Sequence, residues 1–275
     1  MKVFALSIIF SLSLLFSAGA EEFKFEMKGV KVSLISELSA VAPGEKFTAA
    51  FYIQHFDDFH TYWRNPGLVG FATTITWDLP KGFEAGELQW QVPERSKMLK
   101  YHCHAYKGDA YLLVDIQAPK EIPEKFSLKA KVGGMSCSTK ECCKIGFIDV
   151  ELPMVKAAKS VKNDDSAKKI KDAKSRLPKP SKDVEVSVER KGEWLTLKFA
   201  GKSLEPKSVY FYSNENITDT EAEQVLEKVG DSFTLKVKLN KFVKPDLSSV
   251  SGLLFSSSGW GSNKSKYFSF TDKLN

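Results

Sequence analysis

Short runs of alternating or β-branched residues, each closed by a turn pair, recur along the chain and set what it can fold into. In the N-terminal half they are Lys31 to Leu38, Lys46 to Gln54, Ala72 to Trp77, Tyr111 to Ala118, Phe126 to Val132 and Phe147 to Leu152. Pro43-Gly44, Pro66-Gly67, Lys81-Gly82 and Lys107-Gly108 supply turns between them. In the C-terminal half the pattern returns at Val184 to Arg190, Trp194 to Phe199, Ser208 to Tyr212, Phe233 to Leu239, Gly252 to Phe255 and Tyr267 to Phe270. A sheet with one apolar face must bury it against another layer, so the pattern predicts an all-β fold of two β-sandwiches in tandem.

The 275 residues divide into four zones. Residues 1–20 read as a secretory signal peptide: Lys2, an apolar run from Val3 to Phe16, and Ala18-Gly19-Ala20 for cleavage before Glu21. That run is too short for a membrane span, so the mature protein is expected to be exported and soluble. Residues 21–153 form the first sandwich and carry all four cysteines and all four histidines. Residues 154–182 read as a basic linker, with a short helix from Ser166 to Arg176 capped by Asp165. Residues 183–275 form the second sandwich, with Thr220 to Lys228 as a helical turn or two, and contain neither Cys nor His. Thiol or imidazole chemistry therefore belongs to the first. The formal charge is +6, yet Lys156 to Lys182 alone holds ten Lys or Arg against three Asp, a net of +7. The remainder is close to neutral, which argues against nucleic acid and for a solvated tether able to touch anionic lipid.

Cys137-Ser138-Thr139-Lys140-Glu141-Cys142-Cys143 concentrates three thiols at the end of a strand hairpin. Four cysteines in an exported protein most often form structural disulfides. Here Cys142 and Cys143 are adjacent and cannot both pair with Cys137. The loop is also so short that a bond across it restrains little chain entropy. Lys140 and Lys144 flank the second thiol and favour thiolate. A short, weakly stabilising bond is better suited to exchange.

His102-Cys103-His104 is the second constellation, with His55, His60, Met98 and Met135 near it in sequence. Thiolate, thioether and imidazole together suit Cu(I), and imidazole with thiolate suits zinc. Neighbours on a strand face opposite ways, so a shared metal would need a loop here. No hydrolase elbow, phosphate loop or zinc-protease pair is present.

Several segments in order resemble the N-terminal periplasmic domain of the DsbD family of thiol–disulfide interchange proteins, and its ScsB-like branch in particular. They are His60-Thr61-Tyr62-Trp63-Arg64-Asn65-Pro66-Gly67, Thr74 to Phe83, Leu88 to Arg95, and Tyr106-Lys107-Gly108 with Tyr111 to Val114, closed by the cysteine hairpin. The resemblance covers Val30 to Pro153 and implies immunoglobulin-like sandwiches. It implies a reactive pair of Cys137 with Cys142 or Cys143, supported by His60 and Tyr62. A cap over the pair would come from Met98, Leu99 or Tyr101, with Cys103 nearby as a resolving thiol. Lys144-Ile145-Gly146 stands where the family usually has proline after the second cysteine.

The resemblance implies a protein-disulfide reductase type of oxidoreductase that needs no cofactor. Its partners would be periplasmic thiol–disulfide proteins, with electrons from a separate membrane donor, since the membrane relay and thioredoxin-like domains of full-length members do not follow Asn275. The rival readings are a metal-binding module on His102, Cys103 and His104, and a non-catalytic binding protein with stapling disulfides.

Overall fold

The computed structural model describes residues 27–138, 144–201, 204–262 and 264–274. The expected signal peptide, Cys142 and Cys143 lie outside the described residues. No helix among the described residues is long and apolar enough to cross a membrane.

The first half builds β1 (Val30–Ser36), β2 (Leu38–Val41), β3 (Lys46–His55), β4 (Thr61–Tyr62), β5 (Thr74–Asp78), β6 (Glu84–Ala85), β7 (Gln89–Trp90), β8 (Glu94–Met98), β9 (Tyr101–Tyr106), β10 (Asp109–Gln117), β11 (Lys125–Ser136), β12 (Lys144–Lys156) and β13 (Val161–Lys162). One sheet has the order β1-β3-β10-β6, with β7 also on β10, and its partner runs β13-β2-β12-β11-β5. Phe47, Phe51, Ile53, Leu112, Val114 and Ile116 from the first sheet meet Leu128, Val132 and Val150 from the second in one core. A third, small sheet, β4-β9-β8, extends from this sandwich.

Alternation explains why β3 and β10 read as nearly continuous apolar runs. Phe47, Ala49, Phe51 and Ile53 face the core, while Ala50, Tyr111 and Leu113 pack on the opposite side beneath Ile170 and Ala173. Those two residues belong to helix α1 (Asp164–Ser175). Its cap is Asn163, whose side chain accepts from the Ser166 amide at 3.3 Å, rather than the expected Asp165. The earlier start places Asp164 and Asp165 in the first turn, where the helix dipole favours carboxylates. The basic segment is also bound more closely than its charge suggests. Val161 pairs with Ala40, and Lys156, Lys169 and Lys174 pair with Glu124, Asp165 and Glu37.

The second half contributes β14 (Glu185–Lys191), β15 (Trp194–Ala200), β16 (Tyr210–Ser213), β17 (Val225–Val229), β18 (Ser232–Lys238), β19 (Ser249–Trp260) and β20 (Ser265–Lys273). Sheets β14-β15-β18-β17 and β16-β19-β20 enclose Leu195, Leu197, Phe199, Leu235, Phe211, Leu254 and Trp260. The all-β, two-sandwich architecture follows from the strand pattern. The helical turn expected at Thr220 to Lys228 is instead strand β17 at its C-terminal end. Val225 to Val229 pairs residue by residue with β18, and the β-branched ends suit a sheet edge better than a helix.

Strand β16 joins the two halves because both of its faces are buried. Phe211 enters the second core, whereas Tyr210 and Tyr212 reach into the first. The Asn65 amide donates to the carbonyls of Ser213 and Glu215, both at 2.8 Å, and its oxygen accepts from the Gly67 amide at 3.1 Å. Gly67 has φ +94°, and a Cβ there would stand 2.7 Å from Thr220, so this turn needs glycine to let the second half approach. His104 is fully buried, with Nδ1 on the Asn65 carbonyl at 3.0 Å and Nε2 on the Tyr210 hydroxyl at 3.1 Å.

Asn65→Ala leaves two carbonyls of β16 and its loop unpaired and is expected to cost about 2–3 kcal/mol, read by urea unfolding. Burial pushes His104 down to about 4, below the unfolded value of 6.5. The unfolded chain therefore takes up this proton first as pH falls. Stability present above pH 6.5 should be lost between about 6.5 and 4, by on the order of 3 kcal/mol. Melting temperature against pH checks this, and His104→Gln should remove the His104 share of the slope, leaving that of His60, which burial also holds down to about 4.

Candidate thiol site

Cys137 follows directly on β11 and is held by an isolated antiparallel bridge to His60. The His60 amide donates to the Cys137 carbonyl at 2.9 Å, and the Cys137 amide donates back at 3.1 Å. Tyr62 lies two residues on and so shares the face of His60. Its hydroxyl donates to Cys137 Sγ at 2.8 Å. Cys137 is disulfide-bonded and Cys103 is free, while Cys142 and Cys143 lie outside the described residues. Lys140 and the Lys144 side chain lie outside them too.

The pairing register brings Cys103 to the same side. Tyr62 is opposite Ala105, Ser96 opposite Cys103, and Met98 opposite Tyr101. Tyr62, Cys103, Ala105 and Cys137 form one buried cluster, with Val69, Met98 and Met135 packed against it. Leu99 and Tyr101 turn outward instead, at 78% and 39% exposure. Of the three residues expected to cap the pair, Met98 is the one against the cluster.

The other two members of the His-Cys-His tract face away from the thiols. His102 donates its amide to Glu221 Oε1 at 2.6 Å and sets Nδ1 3.1 Å from Oε2. His104 is enclosed by Trp63, Tyr210 and Tyr212. Strand alternation therefore separates Cys103 from both imidazoles. Among the described residues no three His, Cys, Asp or Glu side chains are grouped to hold a metal. His55 bridges the Gly108 carbonyl and the Thr61 hydroxyl at 2.7 and 2.8 Å, a structural role.

Burial dominates the electrostatics. It holds the Tyr62 hydroxyl well above the usual phenol value, so that group keeps the proton it donates to sulfur. Burial pushes the Cys103 thiol up to about 11, with Lys107 pulling the other way, so Cys103 is a protonated thiol at neutral pH. His60 is pushed down to about 4 by burial, then by Lys107 and His55, and is neutral. Its Nε2 is buried with no hydrogen-bond partner among the described residues. Among the described residues the Tyr62 hydroxyl is a proton donor already in place for charge developing on the Cys137 sulfur.

Sequence patterns did not single out Gly70. At φ +98° it lies so close that a Cβ would come 2.2 Å from the Tyr62 ring, so its lack of a side chain keeps the ring in place. Two glycines around Leu68-Val69 were the available signal. Glu221 and Tyr210 were beyond reach, because their contacts to β9 span more than a hundred residues.

Residues 31–147 match the family described as thiol:disulfide interchange protein DsbD, N-terminal. Curated protein sequences give no match. Among solved structures, the N-terminal periplasmic domain of ScsB from Proteus mirabilis aligns over 89% of this chain and 90% of that one, with a TM-score of 0.63 and 15% identity. It thus shares the fold across both sandwiches. BcpA, the major pilin subunit of Bacillus cereus, gives a TM-score of 0.27 at 10% identity over 90% of this chain and 66% of its own, and adds nothing to the argument. The match over residues 31–147, with the shared fold, supports a DsbD-family N-terminal domain in this part of the chain.

Proposed function

We propose that this protein is a periplasmic thiol–disulfide oxidoreductase module that exchanges electrons with protein disulfides through Cys137 and one of Cys142 or Cys143. The observation that carries the reading is Cys137: disulfide-bonded, buried, and with its sulfur 2.8 Å from the Tyr62 hydroxyl. A partner thiolate attacks one sulfur of the bond, forms a mixed disulfide and expels the other sulfur as thiolate. The partner's second thiolate then attacks the mixed disulfide, which leaves the partner oxidised and this pair as a dithiol. The same two steps run in reverse on a substrate disulfide, so each cycle moves two electrons without any cofactor. Charge on Cys137 is awkward in an apolar cluster, and the Tyr62 hydroxyl answers that by donating to it. Cys103, protonated and fully buried in the same cluster, is a reserve thiol and not the first nucleophile. The periplasmic assignment draws on the signal-like N-terminus and on the ScsB structure, which is itself described as periplasmic.

Cys137→Ser should abolish exchange with a disulfide substrate, and full retained activity would exclude the assignment. Tyr62→Phe should raise the apparent thiol pKa and slow exchange about tenfold near neutral pH, because a hydrogen bond to a charged group contributes about 1.5–3 kcal/mol. The difference should shrink as pH rises above the thiol pKa. Gly70→Ala, which displaces the Tyr62 ring, should slow exchange in the same direction, and stopped-flow assays against a mixed-disulfide reporter measure all three.

A further inference from the structure

The hairpin that brings Met98 to the thiol cluster is held on its other face by the second sandwich. Strand β8 is the edge of the β4-β9-β8 sheet, and among the strands only β9 pairs with it. Its connection to β9 is a tight turn in which Leu99 adopts φ +54° with its side chain 78% exposed, so the tip has little packing of its own. The outward face meets residues of the C-terminal half. Glu221 accepts from the His102 amide at 2.6 Å and lies 3.1 Å from His102 Nδ1. The Thr220 hydroxyl donates to the His102 carbonyl at 3.3 Å. The Arg95 guanidinium sits over the Tyr210 ring at 4.9 Å. His102 is one residue from Tyr101, which pairs with Met98.

We propose that Glu221 is a positioning residue for the thiol site: from the second sandwich it clamps the β8–β9 hairpin so that Met98 stays packed on the cluster of Cys137, Tyr62 and Cys103. This deepens the exchange reading and rests on it for its purpose, but the clamp has its own observables. A strand passes side chains alternately to its two faces, so fixing His102 on one face fixes Cys103 and the Met98–Tyr101 pair on the other. Releasing the clamp lets the hairpin tip lift, which uncovers the Cys137 sulfur and the Cys103 thiol together. The second sandwich thereby sets how readily a reductant reaches the bond.

The test uses the full chain and two readouts: the rate at which a water-soluble phosphine reduces the Cys137 disulfide, and the rate at which iodoacetamide alkylates Cys103 in the oxidised protein. Glu221→Ala should raise both by about fivefold, the scale of one partly exposed hydrogen bond to a carboxylate. Glu221→Gln keeps an oxygen for the His102 amide and should stay within about twofold of wild type, whereas Thr220→Val should give a rise of about twofold. Unchanged or lower rates in Glu221→Ala, with native circular dichroism, overturn the clamp. Should Glu221→Ala fail to fold, Thr220→Val decides, and no rise in either readout overturns the proposal. A wild-type bond that the phosphine cannot open counts against the exchange reading, while Cys103 alkylation still judges Glu221.

Discussion

Strand β9 sends Cys103 to one side and His102 and His104 to the other, and both the thiol site and the junction between sandwiches are built on that alternation. On the first side the cluster of Tyr62, Cys103 and Cys137 excludes water. On the second, His104 and His102 are tied to Tyr210 and Glu221. A shift of register by one residue would exchange these faces, placing imidazoles beside the disulfide and a thiol in the junction. Burial of β16 on both faces extends the same constraint into the second half, where Phe211 and Tyr212 serve different cores.

The chemistry follows from how little polarity the thiol side contains. A disulfide in an apolar setting has few groups able to receive charge when it opens. Tyr62 provides one, and burial keeps its proton on oxygen across the physiological range. Neutral His60 adds no positive charge there, and the Tyr62 hydroxyl is placed to favour thiolate on Cys137.

The strand pattern made the sandwiches legible, since runs such as Phe126 to Val132 carry their own period. Three cysteines in seven positions marked the thiol segment, and the ordered motifs marked His60 and Tyr62, which lie beside Cys137. The β8–β9 hairpin was not, because Arg95 to Met98 and Tyr101 to His104 are polar on the face that the second sandwich covers. For the same reason the His-Cys-His tract looked like a ligand set: its imidazoles are satisfied by Asn65, Tyr210 and Glu221, which no local pattern connects to it. Asn65-Pro66-Gly67 read as a turn, and is one, but its side-chain amide also serves β16 across the junction.

The reduction potential of the Cys137 disulfide, with mass-spectrometric mapping of which thiols change state, tests the central claim most directly. The account predicts a reversible couple between Cys137 and Cys142 or Cys143 at about −180 to −270 mV, where exchange proteins operate, with Cys103 reduced throughout. A bond below about −300 mV that glutathione leaves intact would make Cys137 part of a structural staple and contradict the account.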